Sequence, residues 1–580
     1  MTTVATAVQQ VCRQMPVQLL RQSSAELHFV IQDDEDWLHL AQWANRTGCD
    51  VCSFFASDER ALEANAFKLY LLLSAPDGSL IILERAAAGP GRPSGYLSVR
   101  EVFPNVERWE REIAELFGLM PYNLPLPVPE RAMLVGPYPA DLYPLRRTVA
   151  LAELRETLTA TQLAESPRSY RLSEGLQDLW AGPIHAGIKE AGPLRLLIAG
   201  ETVEGLQLDP GYKHRGLEKL FEAQRLEDGW RLAEVIAGDA SFAHSLAYCQ
   251  AVESLANVVV PPLAQVWRAT LLEMERIANH IGNIASLVHD IALPLVAAPL
   301  SCLREEVLRL NAGLTGSRLL RGVNRPGGVA LQPALSGKEL ASRLEGIIGR
   351  CVALGQAVIE SPSCRDRLIA TGVLSLDEAR RCGASGIIRR ASNDVTFDFR
   401  LRHPFGVYSR PEIRAEIQAT FTGPVGKETT EGDLSPRHGR VQSADLNGDV
   451  FARLVLRVAE IETAARIIAH LAAELEAPKT PNASLTPITA ALADAEPYAL
   501  GLGYVEGARG AIIHCGMKGP GQRPHRWKYS DPSEAALCAL SVAASYRANA
   551  DRSAPARGDI VADIPLDNIS MDASLAACAG

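Results

Sequence analysis

The sequence predicts an α+β N-terminal module followed by a mostly α-helical domain that opens with a small β-sheet. Three observations predict it. Short strand-like runs joined by a turn signal lie before residue 150. A second pair of strand-like runs opens the region after residue 175. Beyond Leu217 the apolar residues recur largely at helical spacing. At 580 residues the chain exceeds one ordinary core; length alone would allow about three or four domains.

Residues 66–73 (Ala-Phe-Lys-Leu-Tyr-Leu-Leu-Leu) and 79–84 (Ser-Leu-Ile-Ile-Leu-Glu) read as strands. The turn between them holds Pro76, which presets φ, and Gly78, which accepts φ > 0. Residues 89–95, rich in Gly and Pro, read as a loop. Trp109, Ile113 and Leu116 then recur at helical spacing, with Gly118 as the stop. This closes a module over residues 1–150. Residues 151–174 are polar, include a Ser-Pro-Arg-Ser break, and read as a connector with some helix. The second domain, 175–580, opens with two strands around a turn at 193–208. Residues 261–289 and 450–474 are long helical runs, and 422–441 reads as a loop.

Hydrophobic content of 47% and charged content of 22% describe a globular chain. A net charge of −10 argues against a nucleic-acid partner. The first ten residues lack a positive start followed by an apolar core, so no secretory leader is expected. The apolar stretches Val258–Val266 and Ile291–Leu300 are short and broken by Pro261, Pro262, Pro294 and Pro299. The expectation is a soluble or peripheral protein. Eleven scattered cysteines suggest reduced thiols in a cytoplasm. Cys49-x-x-Cys52 supplies two ligands where zinc wants four, so two packed thiols are expected there.

Five motifs lie in order along the second domain. They are Gly182-Pro-Ile-His-Ala-Gly-Ile, Gly211-Tyr-Lys-His-Arg-Gly-Leu-Glu-Lys-Leu-Phe-Glu, Glu275-Arg-Ile-Ala-Asn-His, Arg325-Pro-Gly-Gly-Val and Val505-Glu-Gly-Ala-Arg-Gly. Together they resemble the large subunit of membrane-bound, energy-converting nickel–iron hydrogenases of the formate hydrogenlyase type. That family is related to the 49 kDa-type quinone-site subunit of complex I. The stretch Trp109–Gly118 and Tyr143-Pro-Leu-Arg-Arg resemble the 30 kDa-type complex I subunit. The resemblance implies a heteromeric complex with an iron–sulfur small subunit carrying a 4Fe–4S cluster, a ferredoxin-like subunit and antiporter-like membrane subunits. The small subunit would dock near residues 182–190, 237–248 and 570–578. The chain itself would sit peripherally on the cytoplasmic side of the inner membrane.

The family's four metal-binding cysteines, carried over by position, fall on Ala237, Ala240, Ser574 and Ala577. Soft thiolates suit nickel and iron, and alanine has no donor atom. Cys578 lies one residue late, which in regular chain turns the side chain away. The complex I quinone contacts carry over to His185, with Asp290 behind it, and to Gly238 in place of tyrosine. A His–Asp pair can orient the imidazole and deliver a proton. The residues that polarise the terminal cluster in complex I fall on Val235 and Leu320.

Arg509 matches the arginine that overhangs the metals; it could fill the vacated place, pair with Asp572, or lie on the surface. Arg325, Gly327 and Gly328 are expected to fix a tight loop. His244 reads as a core or interface histidine, and His214 and Arg215 before Glu218 as a helix-start network rather than a phosphate site. The expected function is a metal-free, hydrogenase-like oxidoreductase subunit that binds no cofactor of its own and couples redox chemistry in its partner to ion translocation. The alternatives are a quinone- or other acceptor-reducing subunit using His185, Asp290 and Arg509, and an active nickel–iron hydrogenase.

Overall fold

The computed structural model describes residues 18–22, 26–62, 66–88, 95–124, 133–134, 139, 141–160, 175–184, 190–208, 210–331, 333, 335–421, 446–475, 485–545 and 559–578. Of the loop expected at 89–95, residues 89–94 lie outside them and Gly95 opens a short strand; the loop expected at 422–441 also lies outside them, as does the connector beyond the helix Leu151–Ala160.

The N-terminal sheet contains β1 (Gln18–Gln22), β2 (Glu26–Ile31), β3 (Asp50–Glu59), β4 (Ala66–Ser74) and β5 (Leu80–Ala88) in the order β1-β2-β5-β4-β3. The predicted hairpin is the antiparallel β4–β5 pair, and β2 joins β5 in parallel. Alternate residues of β4 explain why its sequence is apolar throughout rather than every second position. Phe67, Leu69, Leu71 and Leu73 pack with Trp37 and Trp109, from α1 (Asp34–Arg46) and α2 (Glu107–Phe117). Tyr70 and Leu72 face the other way, against Phe399, Leu502 and Ile513 of the second domain. A sheet covered on both faces loses the polar half of the alternation. Helix α2 stops at Gly118, which takes φ +70°. A short parallel pair, β6 (Gly95–Leu97) and β7 (Met120–Tyr122), flanks it.

The second domain opens with β8 (Gln177–Ala181), β9 (Leu194–Ala199) and β10 (Thr202–Leu208), an antiparallel sheet with β9 in the middle. Its core is built from α3 (Ser241–Ala256), α4 (Pro262–Asp290), α5 (Pro294–Thr315), α6 (Gly337–Glu360) and α7 (Val450–Leu471). Pro262 sits in the first turn of α4, where its missing N–H costs nothing. The apolar stretches weighed as membrane segments are the starts of α4 and α5; among the described residues, no helix is long and apolar enough to cross a membrane. Between α5 and α6, β11 (Asn324–Arg325) and β12 (Gly328–Val329) form the tight loop expected at Arg325. Gly327 has φ +94°, and the Arg325 guanidinium lies 3.5 Å from the centre of the Trp230 ring.

A second antiparallel sheet, β13 (Leu500–Glu506), β14 (Ala511–Lys518) and β15 (Pro524–Ser530), stands where the sequence suggested continuing helix. Gly501 and Gly503 of β13 lie so close to α3 that an added Cβ would come within 2.3 and 1.9 Å of the Ala251 and Ala247 carbonyl oxygens. Glycines chosen for close approach erase the strand pattern. The chain ends with α8 (Ser533–Ala544), α9 (Ile564–Met571) and a final turn, Leu575–Cys578.

Candidate functional site

The two segments that hold Ala237/Ala240 and Ser574/Ala577 are far apart in sequence and adjacent in space. Two arginines join them. Arg215 donates to the carbonyls of Val235 (2.5 Å), Ile236 (2.7 Å) and Ala576 (2.9 Å). Arg509 donates to both carboxylate oxygens of Asp239, one at 2.8 Å, and to the carbonyl oxygen of Asp572, whose carboxylate is 3.3 Å away. The Arg509 side chain is 8% exposed, so it is no surface arginine. The residue it grips, Asp239, lies between the two alanines.

Helix α4 supports this arrangement with one face. Glu275 accepts from the Phe242 (2.7 Å) and Ala243 (3.0 Å) amides, which open α3. One turn on, Asn279 donates to the Asp239 carbonyl at 2.8 Å, and a further turn on, Asn283 donates to the Ile569 carbonyl at 2.6 Å. Residues i, i+4 and i+8 share one helix face. The neighbouring face carries Arg276, which donates to the carbonyls of Glu506 (2.5 Å) and Gly507 (2.9 Å), and His280, which is 3.0 Å from Glu460. Arg390 joins Glu506 to Glu460, at 2.8 Å from each. A buried ion network therefore fixes the strand end that presents Arg509.

Protons are distributed unevenly here. Burial opposes the charge on Asp239, yet Arg509 outweighs it and holds that carboxyl below its ordinary value. Asp572 is raised by burial, with Asp239's charge adding to it and Arg509 only partly offsetting it. Burial lifts Glu275 to about 8, against the two amide bonds that favour its charged form. Burial lowers Arg457 to about 10; its guanidinium donates to the Ser570 carbonyl at 2.6 Å.

At the positions that the resemblance assigns to metal ligands, Ala237 and Ala577 are fully buried and Ala240 nearly so. The Ser574 hydroxyl is 3.2 Å from Glu190 and accepts from the Ala577 amide at 3.3 Å. Cys578 turns its thiol onto the Ser574 carbonyl at 3.0 Å. Three positions offer no donor atom and the fourth is engaged, so these residues do not fit a nickel–iron centre. At Gly238 an added Cβ would meet open space, Val235 is partly exposed, and Leu320 is buried with φ +56°.

His244 is a core histidine. Trp527 Nε1 is only a donor, so His514 Nδ1 accepts from it at 3.1 Å. His514, kept neutral by burial, then carries its proton on Nε2 and donates to His244 Nδ1 at 3.2 Å. His244 Nε2 in turn donates to Asp531 at 2.9 Å. Asp290 ends α4, exposed, about 10 Å beyond Asn283 along the helix. His185 lies outside the described residues, so its pairing with Asp290 rests on the resemblance alone. Sequence reasoning missed Asp239, Glu275 and Arg215 as participants, although each lies within or between the quoted motifs.

Comparison with known proteins matches this architecture. Residues 30–154 match the family Respiratory-chain NADH dehydrogenase, 30 Kd subunit. Residues 297–562 match Respiratory-chain NADH dehydrogenase, 49 Kd subunit. The chain is a fusion of complex I 30 kDa-type and 49 kDa-type domains, and its relatives are subunits of energy-converting hydrogenases and complex I. Formate hydrogenlyase subunit 5 of Escherichia coli (strain K12) is 28% identical over 529 residues, 89% of this chain and 82% of that protein. Hydrogenase-4 component G of the same organism is 27% identical over 527 residues, covering 89% and 81%. In fold, the chain resembles a chain of the membrane-bound sulfane sulfur reductase, an archaeal respiratory membrane complex. The TM-score is 0.57 at 22% identity, over 71% of this chain and 100% of that one.

Proposed function

We propose that this chain is a metal-free, hydrogenase-like subunit of a membrane-associated, complex I-related electron-transfer complex. In this reading, redox chemistry in an adjacent iron–sulfur subunit is coupled to ion translocation through the segments around Arg509. The observation that carries it is the ion pair of Arg509 with Asp239, tied on to Asp572, between segments whose four ligand positions lack thiolates. A guanidinium fixed between two carboxylates takes up charge instead of metal. The partners would be an iron–sulfur small subunit with a 4Fe–4S cluster, a ferredoxin-like subunit and antiporter-like membrane subunits. The chain would reach the cytoplasmic face of the membrane through them.

The chain's own residues can hold protons beside a partner's electron. Glu275 and Asp572 are carboxyls raised toward protonation, next to a permanent cation. An electron arriving in the neighbouring subunit would favour proton uptake at these groups, which is the local form of redox coupling. Elemental analysis of the purified complex tests the proposal: no nickel is expected, with iron confined to the amount its clusters need. Nickel at one atom per chain would overturn it.

Glu275 also favours a second reading, reduction of a quinone or other acceptor, because an acid lifted to about 8 can donate a proton at neutral pH. His185→Ala separates the two readings. Unaltered acceptor reduction in an intact complex removes the quinone site.

A further inference from the structure

A cavity of about 990 Å³ lies along the seam between the two domains, and Arg509 does not line it. Small-molecule sites span about 300–1,000 Å³ and favour domain interfaces.

The inner wall settles its own charges. Asp50 accepts from Arg389 at 2.6 Å and from Arg402 at 2.8 Å. Asp394 accepts from Arg389 at 2.8 Å and from the Thr396 hydroxyl at 2.9 Å. Asp531 accepts from His244 at 2.9 Å and from the Ser533 amide at 2.7 Å. Cys49 and Cys52 face the same space; burial pushes them up to about 11 and about 12, so both stay neutral. Between these groups the wall is apolar, with Val51 of β3, Val395 and Ile513 of β14.

The mouth differs. Here Asn105 and Arg108 of the first domain meet Arg381 and Gly383 of the second. Gly383 has φ +70°, and a Cβ there would come within 2.5 Å of Asn105 Nδ2. Arg108 lies one helical turn beyond Asn105, and Arg381 two residues before Gly383, so this contact brings the two guanidinium groups to one end of the cavity. Arg108 Nε is 3.0 Å from Glu534, while its Nη1 is enclosed without a hydrogen-bond partner among the described residues. Burial lifts Glu534 to about 7, so it offsets Arg108 only in part at neutral pH. Arg381 is exposed and has no hydrogen-bond or ion-pair partner among the described residues. Glu101 on the rim is exposed to water, which screens its charge. An enclosed guanidinium N–H without an acceptor is costly, and an anion relieves it.

We propose that this cavity binds an amphipathic anion of the medium-chain fatty acid class, its carboxylate at the Arg108–Arg381 mouth and its alkyl chain on the apolar inner wall. A guanidinium fork matches a carboxylate in shape and charge. The chain removes Val51, Val395 and Ile513 from water. The charged end stays outside because the inner carboxylates already hold the inner arginines.

The test uses the full chain in its purified complex and a decanoate that carries a diazirine on its alkyl chain. Light-driven cross-linking is followed by digestion and peptide mapping by mass spectrometry. Label is expected on the peptides that carry Val51 or Val395, competed away by untagged decanoate and not by decanol at the same concentration. R381M alters an exposed residue with no described bond to lose, and should lower that labelling by about tenfold or more. V395W, which fills the inner wall and leaves both arginines in place, should abolish it. Three outcomes overturn the proposal: no label on either peptide, equal competition by decanol, or unchanged labelling in R381M.

Discussion

Arg509 is one cation shared by two acids, and its geometry sets what its loss would do. In R509M the partly exposed Asp239 and Asp572 would lose their counter-ion but keep some water. The expected cost is about 2 kcal/mol, below that of a fully buried pair, read from chemical denaturation of the complex-bound chain. An unchanged midpoint would mean that the bridge does not stabilise the fold. Glu275 gives a pH signature. Its folded value, about 8, lies above the ordinary carboxylate value, so its contribution is fully present below about 4.5 and is lost as pH rises to about 8. E275Q should therefore gain stability relative to wild type across that window, by roughly 5 kcal/mol, and run parallel to it above. A constant difference from pH 4.5 to 8 would contradict the raised value. Arg509 was legible because its motif survives. Asp239 was not, since an aspartate between two alanines reads as a loop residue until the fold sets an arginine opposite it.

At the scale of elements, the hexad Glu275-Arg-Ile-Ala-Asn-His is a two-faced stretch of α4. Glu275 and Asn279 serve the site, while Arg276 and His280 serve the ion network beneath it. Helical period makes that division readable, but not what each face meets. The loop that presents Arg509 also depends on a close approach. Gly386 has φ +60°, and a Cβ there would come within 1.9 Å of the Arg509 carbonyl oxygen. G386A should cost about 3 kcal/mol. Combined with R509M it should cost less than the sum of the two, because both act on one loop. Full additivity in a double-mutant cycle would separate the two effects. The long helices were predicted from spacing. The β13–β15 sheet was not, because its glycines answer to α3 rather than to strand patterning.

Across the whole molecule, the two domains are held by buried charge as well as apolar contact. Lys528 of β15 bonds Glu112 of α2 at 2.6 Å and Glu218 at 2.9 Å, and Arg526 pairs with Glu218 at 2.6 Å. Arg389 reaches back to Asp50 at 2.6 Å, and Ser74 is 2.7 Å from His403. Removing Lys528 strands Glu112 at the seam and leaves Glu218 to Arg526 alone. K528M should lower stability by about 3 kcal/mol and split thermal unfolding into two transitions in calorimetry. A single transition at the wild-type temperature would show that the apolar contact alone holds the domains together. The two-module organisation was visible in the motifs. The seam was not, because its pairs join residues more than 300 positions apart, and no local pattern records such a distance.

The staples made by Arg215 and Arg509 also set an order in time. The Asp239 loop and the start of α3 emerge from the ribosome long before residues 572–576, and neither arginine can complete its bonds until those last residues arrive. During synthesis the Asp239 loop must wait, partly assembled, for more than 330 further residues. Over that interval the two segments cannot be joined, so the site around Arg509 is completed late in synthesis.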